Sequence, residues 1–170
     1  MAGAGPTRIV SGGQSGVDRA ALDFAAGRGL MTGGWCPRGG FAEDYPNPPG
    51  VRRKYPQLKE TPSDDVDQRT RWNVRDSDAT LIVVASAIGR SEGSTFTLAC
   101  AVALGRPHLV IDLRATDALQ TARKWIERIA PQTLNIAGPR ESQSPGVYRE
   151  TMRFLEDLLG APSAQSGDEA

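Results

Sequence analysis

The sequence predicts an α/β fold: a doubly wound, mostly parallel sheet with helices on both faces. Three observations carry this. Strand-like and helix-like segments alternate along nearly the whole chain. The segments at residues 79–86 (ATLIVVAS) and 108–113 (HLVIDL) are continuous apolar runs, as strands covered on both faces require. The first strand, residues 8–11, runs directly into a glycine-rich turn and then a helical pattern.

Taken in order, the helix after that turn covers residues 16–28 and stops at Gly29. Residues 30–36 read as a second strand, weakened by Gly33 and Gly34. Residues 38–56 are rich in Gly, Pro and charge and have no periodicity; a connection this long in a compact domain is usually functional or mobile. Residues 58–61 read as a short edge strand and 64–77 as a polar helix. The strand at 79–86 leads through a Gly/Ser loop to an apolar helix at 95–104, closed by Gly105. The strand at 108–113 precedes an amphipathic helix at 115–129, stopped by Pro131. A last strand at 133–137, a polar loop at 138–145 and a helix at 146–159 complete the pattern. Residues 1–160 read as one domain, and 161–170, small and polar, as a disordered tail.

Composition narrows the function. Twenty basic and twenty acidic residues cancel, which gives no general pull toward nucleic acid or an anionic membrane. No apolar run approaches the roughly 20 residues that span a bilayer. No signal peptide is visible, and the two cysteines lack metal-ligand spacing. Both points fit reduced thiols and a cytoplasmic protein. With His108 the only histidine, a multi-histidine metal site is excluded. The chain has neither a G-x-x-x-x-G-K-[ST] phosphate loop nor a G-x-S-x-G elbow, and no nucleophile paired with a base stands out. Binding is favoured over turnover.

In a doubly wound sheet the loops that follow strands gather on one edge, where ligands bind. Five segments there carry candidate residues. In the first, Gly12, Gly13, Gln14, Ser15 and Gly16 precede a helix, with Ser15 as a candidate N-cap and Asp18 in capping-box spacing. Backbone N–H groups and the positive end of that helix would hold an anion; a tight turn with no ligand is the plain alternative. In the second, Gly89, Arg90, Ser91, Gly93, Ser94 and Thr95 open the apolar helix, either as an N-cap or as a second anion-binding terminus. The third contains Arg38 and Gly39, with Glu43, Asp44 and the soft thiol of Cys36 nearby. The fourth is the polar helix, where Arg71 and Arg75 share one face and Asn73 lies on another; it is a surface helix or a cationic wall. The fifth is the loop with Arg140 and Glu141.

These segments together resemble the putative molybdenum carrier family: SGGQSGVDRAALDFA, GWCPRGGFAEDYP, TRWNVRDSDATLIV, GSTFTLACA and LNIAGPRESQSPGVY, covering residues 8–159 in order. That family is a branch of a Rossmann-like superfamily, which also holds nucleotide-binding proteins and the lysine-decarboxylase-like phosphoribohydrolases. The resemblance implies a Rossmann-like fold and a homo-oligomer, dimer or tetramer. It also implies a small anionic ligand at the glycine loops: molybdenum cofactor, a molybdate-like oxyanion or a nucleotide. The phosphoribohydrolases carry P-G-G-x-G-T-x-x-E with a catalytic glutamate; here Thr97 and Leu98 stand where the acid would be. An N-glycoside hydrolase using Asp18, Glu43 or Glu92 is the enzymatic alternative, and a nucleotide sensor the third.

Overall fold

The computed structural model describes residues 5–85 and 91–160. Five parallel strands form the main sheet in the order β2-β1-β7-β5-β6. They are β1 (Arg8–Val10), β2 (Met31–Gly33), β5 (Ala79–Val84), β6 (His108–Asp112) and β7 (Thr133–Ala137), and every pairing among them is parallel. The last strand to be made thus enters the middle of the sheet, between the first strand and β5. All six residues of β5 are buried, which accounts for its unbroken apolar run.

Helices α1 (Val17–Gly27), α4 (Ala118–Ile129) and α5 (Val147–Leu159) cover one face. Their apolar stripes meet Ile9, Leu81, Val83, Leu134 and Ile136 in the principal core, with Phe24, Trp125 and Phe154 as the large fillers. The opposite face carries α2 (Val66–Arg75) and α3 (Glu92–Ala103), packed on each other. Because side chains alternate along a strand, the neighbours of Leu134 and Leu81 point to this second face. There Asn135 Nδ2 donates to Thr80 Oγ1 at 3.3 Å, a buried polar pair in the middle of the sheet.

Two departures from the expected pattern share one cause. The stretch 30–36 is not one strand. It breaks at Gly34, whose φ of +130° and approach to the Ser11 carbonyl (2.2 Å from where a Cβ would sit) admit no other residue. Beyond that break β3 (Trp35–Cys36) leaves the main sheet and pairs with β4 (Lys59–Glu60) as a separate two-stranded parallel ribbon. The long segment between them contains a 3-10 turn at Gly50–Arg53 and packs Ala42, Val51, Tyr55 and Leu58 with Leu22 and Cys36 into a core of its own. A side-chain core, invisible to periodicity, holds what read as an unpatterned loop.

Candidate functional site

A cavity of about 350 Å³ opens over the carboxyl ends of β1 and β7. The loop after β1 supplies Gly12 and Gln14, the loop after β7 supplies Gly138, Arg140 and Gln143, and α3 opens into it with Ser91, Glu92 and Gly93. Its side wall is one face of α2: Val66, Arg69, Thr70 and Asn73, at the i, i+3, i+4, i+7 spacing of a single helical stripe, with Asp67 at its edge. Asp18, Phe96, Thr97, Asn135 and Ala137 complete the lining. This is the crevice at the strand-order switch where a doubly wound sheet receives ligands.

The charge inside is set by a pair the sequence did not reveal. Arg69 Nη1 donates to Asp18 Oδ2 at 2.9 Å, with the two side chains 14% and 5% exposed. That is the one hydrogen bond Arg69 makes among the described residues, and its Nε is buried without a partner. Gly12 exists for this pair: a Cβ there would lie 1.5 Å from Arg69 Nη1. Arg140 adds a second cation, and Asp67 and Glu92 add carboxylates. At the mouth of α3, Ser91 caps the helix by accepting from the Ser94 N–H at 3.3 Å. The first-turn N–H groups of Glu92 and Gly93 keep no intrahelical acceptor, which leaves a positive end toward the cavity.

The first glycine turn is built differently from the expected cradle. Ser15 does not cap α1; the N-cap is Gly16, with no side-chain bond. The Gln14 N–H donates to Asp18 at 3.3 Å, the Ser15 N–H to Gln14 Oε1 at 3.1 Å and the Val17 N–H to the Pro139 carbonyl at 3.2 Å. Gly13 packs against Leu58 and Val51, and Gly16 against the backbone of residues 139–141. The glycines serve chain crossings, and the strap at 138–141 closes the α1 terminus. Of two helix ends expected to converge on a ligand, α1 is closed by the strap, and among the described residues nothing closes that of α3.

Other candidates separate likewise. Gly12, Gln14, Asp18, Asn73, Ser91, Gly93 and Arg140 do line the cavity. Asn73, however, spends its amide on Trp35, accepting from its N–H at 2.7 Å and donating to its carbonyl at 3.0 Å. Arg71 lies over the Phe96 ring at 6.0 Å, outside the lining. Arg38 is 64% exposed beside Asp64, and Gly39 lies near Pro48. Ser94 is buried on the inner face of α3, and Thr95 bonds back to the Ser91 carbonyl. Glu141 caps α5, accepting from the N–H groups of Gly146 and Tyr148 at 2.6 and 2.9 Å. Burial pushes the Cys36 thiol up to about 11, so it is no ready metal ligand. Gly89 and Arg90 lie outside the described residues. The residues missed were Arg69, Asp67, Thr70 and Asn135. The signal is present in α2, where Arg69 and Asn73 lie four apart and share a face that Arg71 and Arg75 do not.

A second hollow of about 590 Å³ lies on the far side of the 138–142 strap. Arg19 grips Asp44 with both terminal nitrogens at 2.8 Å, donates to the Gly13 carbonyl at 3.2 Å, and sits between the rings of Tyr45 and Tyr55. The Arg19 hydrogen bonds hold the Asp44 carboxyl below its usual range. Asp23 accepts from Tyr55, Tyr148 and Lys54. Burial, then Asp23, pushes the Tyr148 phenol up to about 12. Glu43 accepts from Ser15 and from the hydroxyl and N–H of Ser142.

Residues 9–159 match the model of the circularly permutated YpsA SLOG family. The chain belongs to this family. The permuted description agrees with a sheet whose last strand enters the centre. Among solved structures, the chain is similar to the "Putative molybdenum carrier protein" of Syntrophus aciditrophicus SB. The two share 42% sequence identity over 92% of this chain and 96% of that one, with a TM-score of 0.84. The Rossmann-like fold and the molybdenum-carrier resemblance read from the sequence are both borne out. No curated protein matches the chain. Among the described residues no helix is long and apolar enough to cross a membrane.

Proposed function

We propose that this SLOG-family chain, through a single domain spanning residues 1–160, is a cytoplasmic binding protein for a small phosphate- or oxyanion-bearing organic ligand. The observation that carries the proposal is Arg69: a cation held at the cavity wall by one bond to Asp18, with donors left over. Such a guanidinium suits a phosphate oxygen. Arg140 and the open end of α3 would complete the anion's surroundings.

Size favours one ligand class. A cavity near 350 Å³ lies in the range of organic-ligand pockets, and a bare tetrahedral oxyanion would leave most of it empty. Asp67, Glu92, Asn135 and Phe96 offer acceptors, an amide and a ring face for the rest of such a molecule. Molybdenum cofactor, as cargo, and nucleotides both fit this description. The named Syntrophus relative supports the former. For the molybdenum itself the described residues gather no set of three His, Cys, Asp or Glu side chains, so the grip would fall on the cofactor's phosphate and ring system.

The test is a thermal-shift panel of molybdate, tungstate, molybdenum cofactor, AMP, ATP, NAD and ADP-ribose. A ligand at a hundredfold excess over its Kd adds about 2.7 kcal/mol. Phosphate-bearing organic ligands should raise Tm, and bare molybdate should not. No shift with any member of the panel would refute the reading. A hydrolytic alternative is favoured by one observation. Of Asp18, Glu43 and Glu92, Glu92 alone lines the cavity without an ion pair among the described residues. Product formation from a nucleoside monophosphate, abolished in Glu92→Gln, would establish it.

A further inference from the structure

The cavity changes character with depth. β5 and β6 are parallel, so α3 between them runs back from the ligand edge, and α2 ends at Arg75, just before β5 begins at Ala79. Both helices therefore start at the mouth of the cavity and descend beside the sheet. Burial follows the same gradient. Asp67, Glu92 and Gln143 at the mouth are exposed, whereas Asn73, Thr97 and Asn135 are only 2 to 3% exposed. Every charged residue of the lining stands in the opening turn of α1, α2 or α3 or in the loop after β7. The floor is neutral.

The floor has also given its hydroxyl protons away. Thr97 Oγ1 donates to the Gly93 carbonyl at 2.8 Å, and Thr70 Oγ1, half-buried on the wall above, donates to the Val66 carbonyl at 3.1 Å. A hydroxyl has one proton, so both oxygens are left as acceptors. Asn135 donates through Nδ2 to Thr80, and its Oδ1 accepts no bond among the described residues. Asn73 is tied to Trp35 through both amide atoms. The mouth is the reverse: Arg69, Arg140 and the first N–H groups of α3 are donors.

We propose that the ligand enters ring first, with its phosphate held at the mouth by Arg69 and Arg140 and an amino group of a flat heterocycle donating to Thr97 and Asn135 at the floor. This orientation rests on the reading of the cavity as a site for a phosphate-bearing ligand, and it makes Thr97 and Asn135 the residues that determine specificity. Phe96, next to Thr97, lines the passage between the two ends and offers a ring face to the heterocycle. The opposite orientation would set phosphate oxygens against acceptor oxygens and away from both cations, and a charge buried so is costly. A ring with no donor would leave the floor's buried acceptors unpaired.

Titration calorimetry on the full chain tests the proposal with two matched pairs: AMP against purine riboside monophosphate, and GMP against IMP. The members of each pair differ by one exocyclic amino group. In at least one pair the amino member should bind roughly 10-fold or more tightly than its counterpart. Thr97→Val keeps the shape of the side chain and removes the acceptor. It should abolish that preference by weakening the amino member alone. Should Thr97→Val lose the native circular dichroism spectrum, Thr70→Val on the wall carries the same test. Asp18→Asn/Arg69→Met, by contrast, should weaken both members of a pair alike. Equal affinity within both pairs would overturn the ring-first orientation and leave the phosphate reading standing, and so would a preference that survives both valine variants. Binding of none of the four would overturn it as well, and Tm shifts with other phosphate esters would then decide the phosphate reading on its own.

Discussion

The two hollows on either side of the 138–142 strap are built from the same parts and do opposite things with them. Each holds an arginine against an aspartate. Arg19 in the second hollow spends its terminal nitrogens on both oxygens of Asp44 and the Gly13 carbonyl, and two tyrosine rings flank it. Arg69 in the first cavity makes one bond to Asp18. The second hollow is larger, at about 590 against 350 Å³, and both terminal nitrogens of its arginine are bonded, whereas Arg69 keeps one terminal nitrogen without a bond among the described residues; the Nε of each is buried without a partner. Volume and charge are alike in kind in the two places; what separates them is a terminal guanidinium nitrogen of Arg69 left for a ligand in the proposed reading.

The sharpest way to break this contrast is at the strap both hollows share. In Gly16→Ala the new methyl would sit 2.4 Å from the Pro139 carbonyl at a φ of +77°. Strain plus overlap should cost about 3 kcal/mol or more, read by urea denaturation, and both hollows should suffer. Next comes Asp44→Ala, which leaves Arg19 buried without its carboxylate. It should cost about 2 kcal/mol, reduced from a fully buried pair because Asp44 is half exposed, and should leave ligand-induced thermal shifts intact.

The converse variant, Asp18→Asn/Arg69→Met, removes the charged pair of the first cavity together, so no lone charge is stranded. Stability should change by less than about 1 kcal/mol, while binding of a phosphate-bearing ligand should weaken roughly 10- to 100-fold. Titration calorimetry decides: equal affinity in this variant and the native protein would remove Arg69 from the site.

The smallest effect is a pH dependence confined to the second hollow. Burial pushes the Glu43 carboxyl up, but hydrogen bonds from Ser142 and Ser15 and the charge of Arg140 outweigh it and hold the group below its ordinary 4.5. A depressed folded-state value means that the contribution is present above that pH and is lost as pH falls through the folded value. Glu43→Gln should therefore shrink the stability difference between neutral and acidic urea melts by less than about 1 kcal/mol, with no change in ligand affinity at neutral pH.

Much of this protein could be read from its residues in order. Continuous apolar runs marked β5 and β6 as strands, although β6 lies at the sheet edge with four of its five residues only partly buried, and the amphipathic period of residues 115–129 marked α4, because burial on one face imposes a repeat on the sequence. The glycines at 12, 13 and 16 marked the turn from β1 into α1, and the five matching segments announced the family. That loops after β1 and β7 share one edge, where the cavity lies, followed from strand-helix alternation.

Three things depended on distant parts of the chain meeting. Gly12 looked like room for a ligand and proved to be room for Arg69, 57 residues away. Ser15 and Glu141 had the chemistry of a site and were consumed by the strap and the α5 terminus. Residues 38–56 had no pattern of their own because their core is shared with Leu22 and Leu58. A local repeat records which face is covered, but not which partner covers it. Whether a polar group remains available to a ligand depends on every neighbour that folding brings within hydrogen-bond reach, and those neighbours are assigned by the sheet order and not by the chain order.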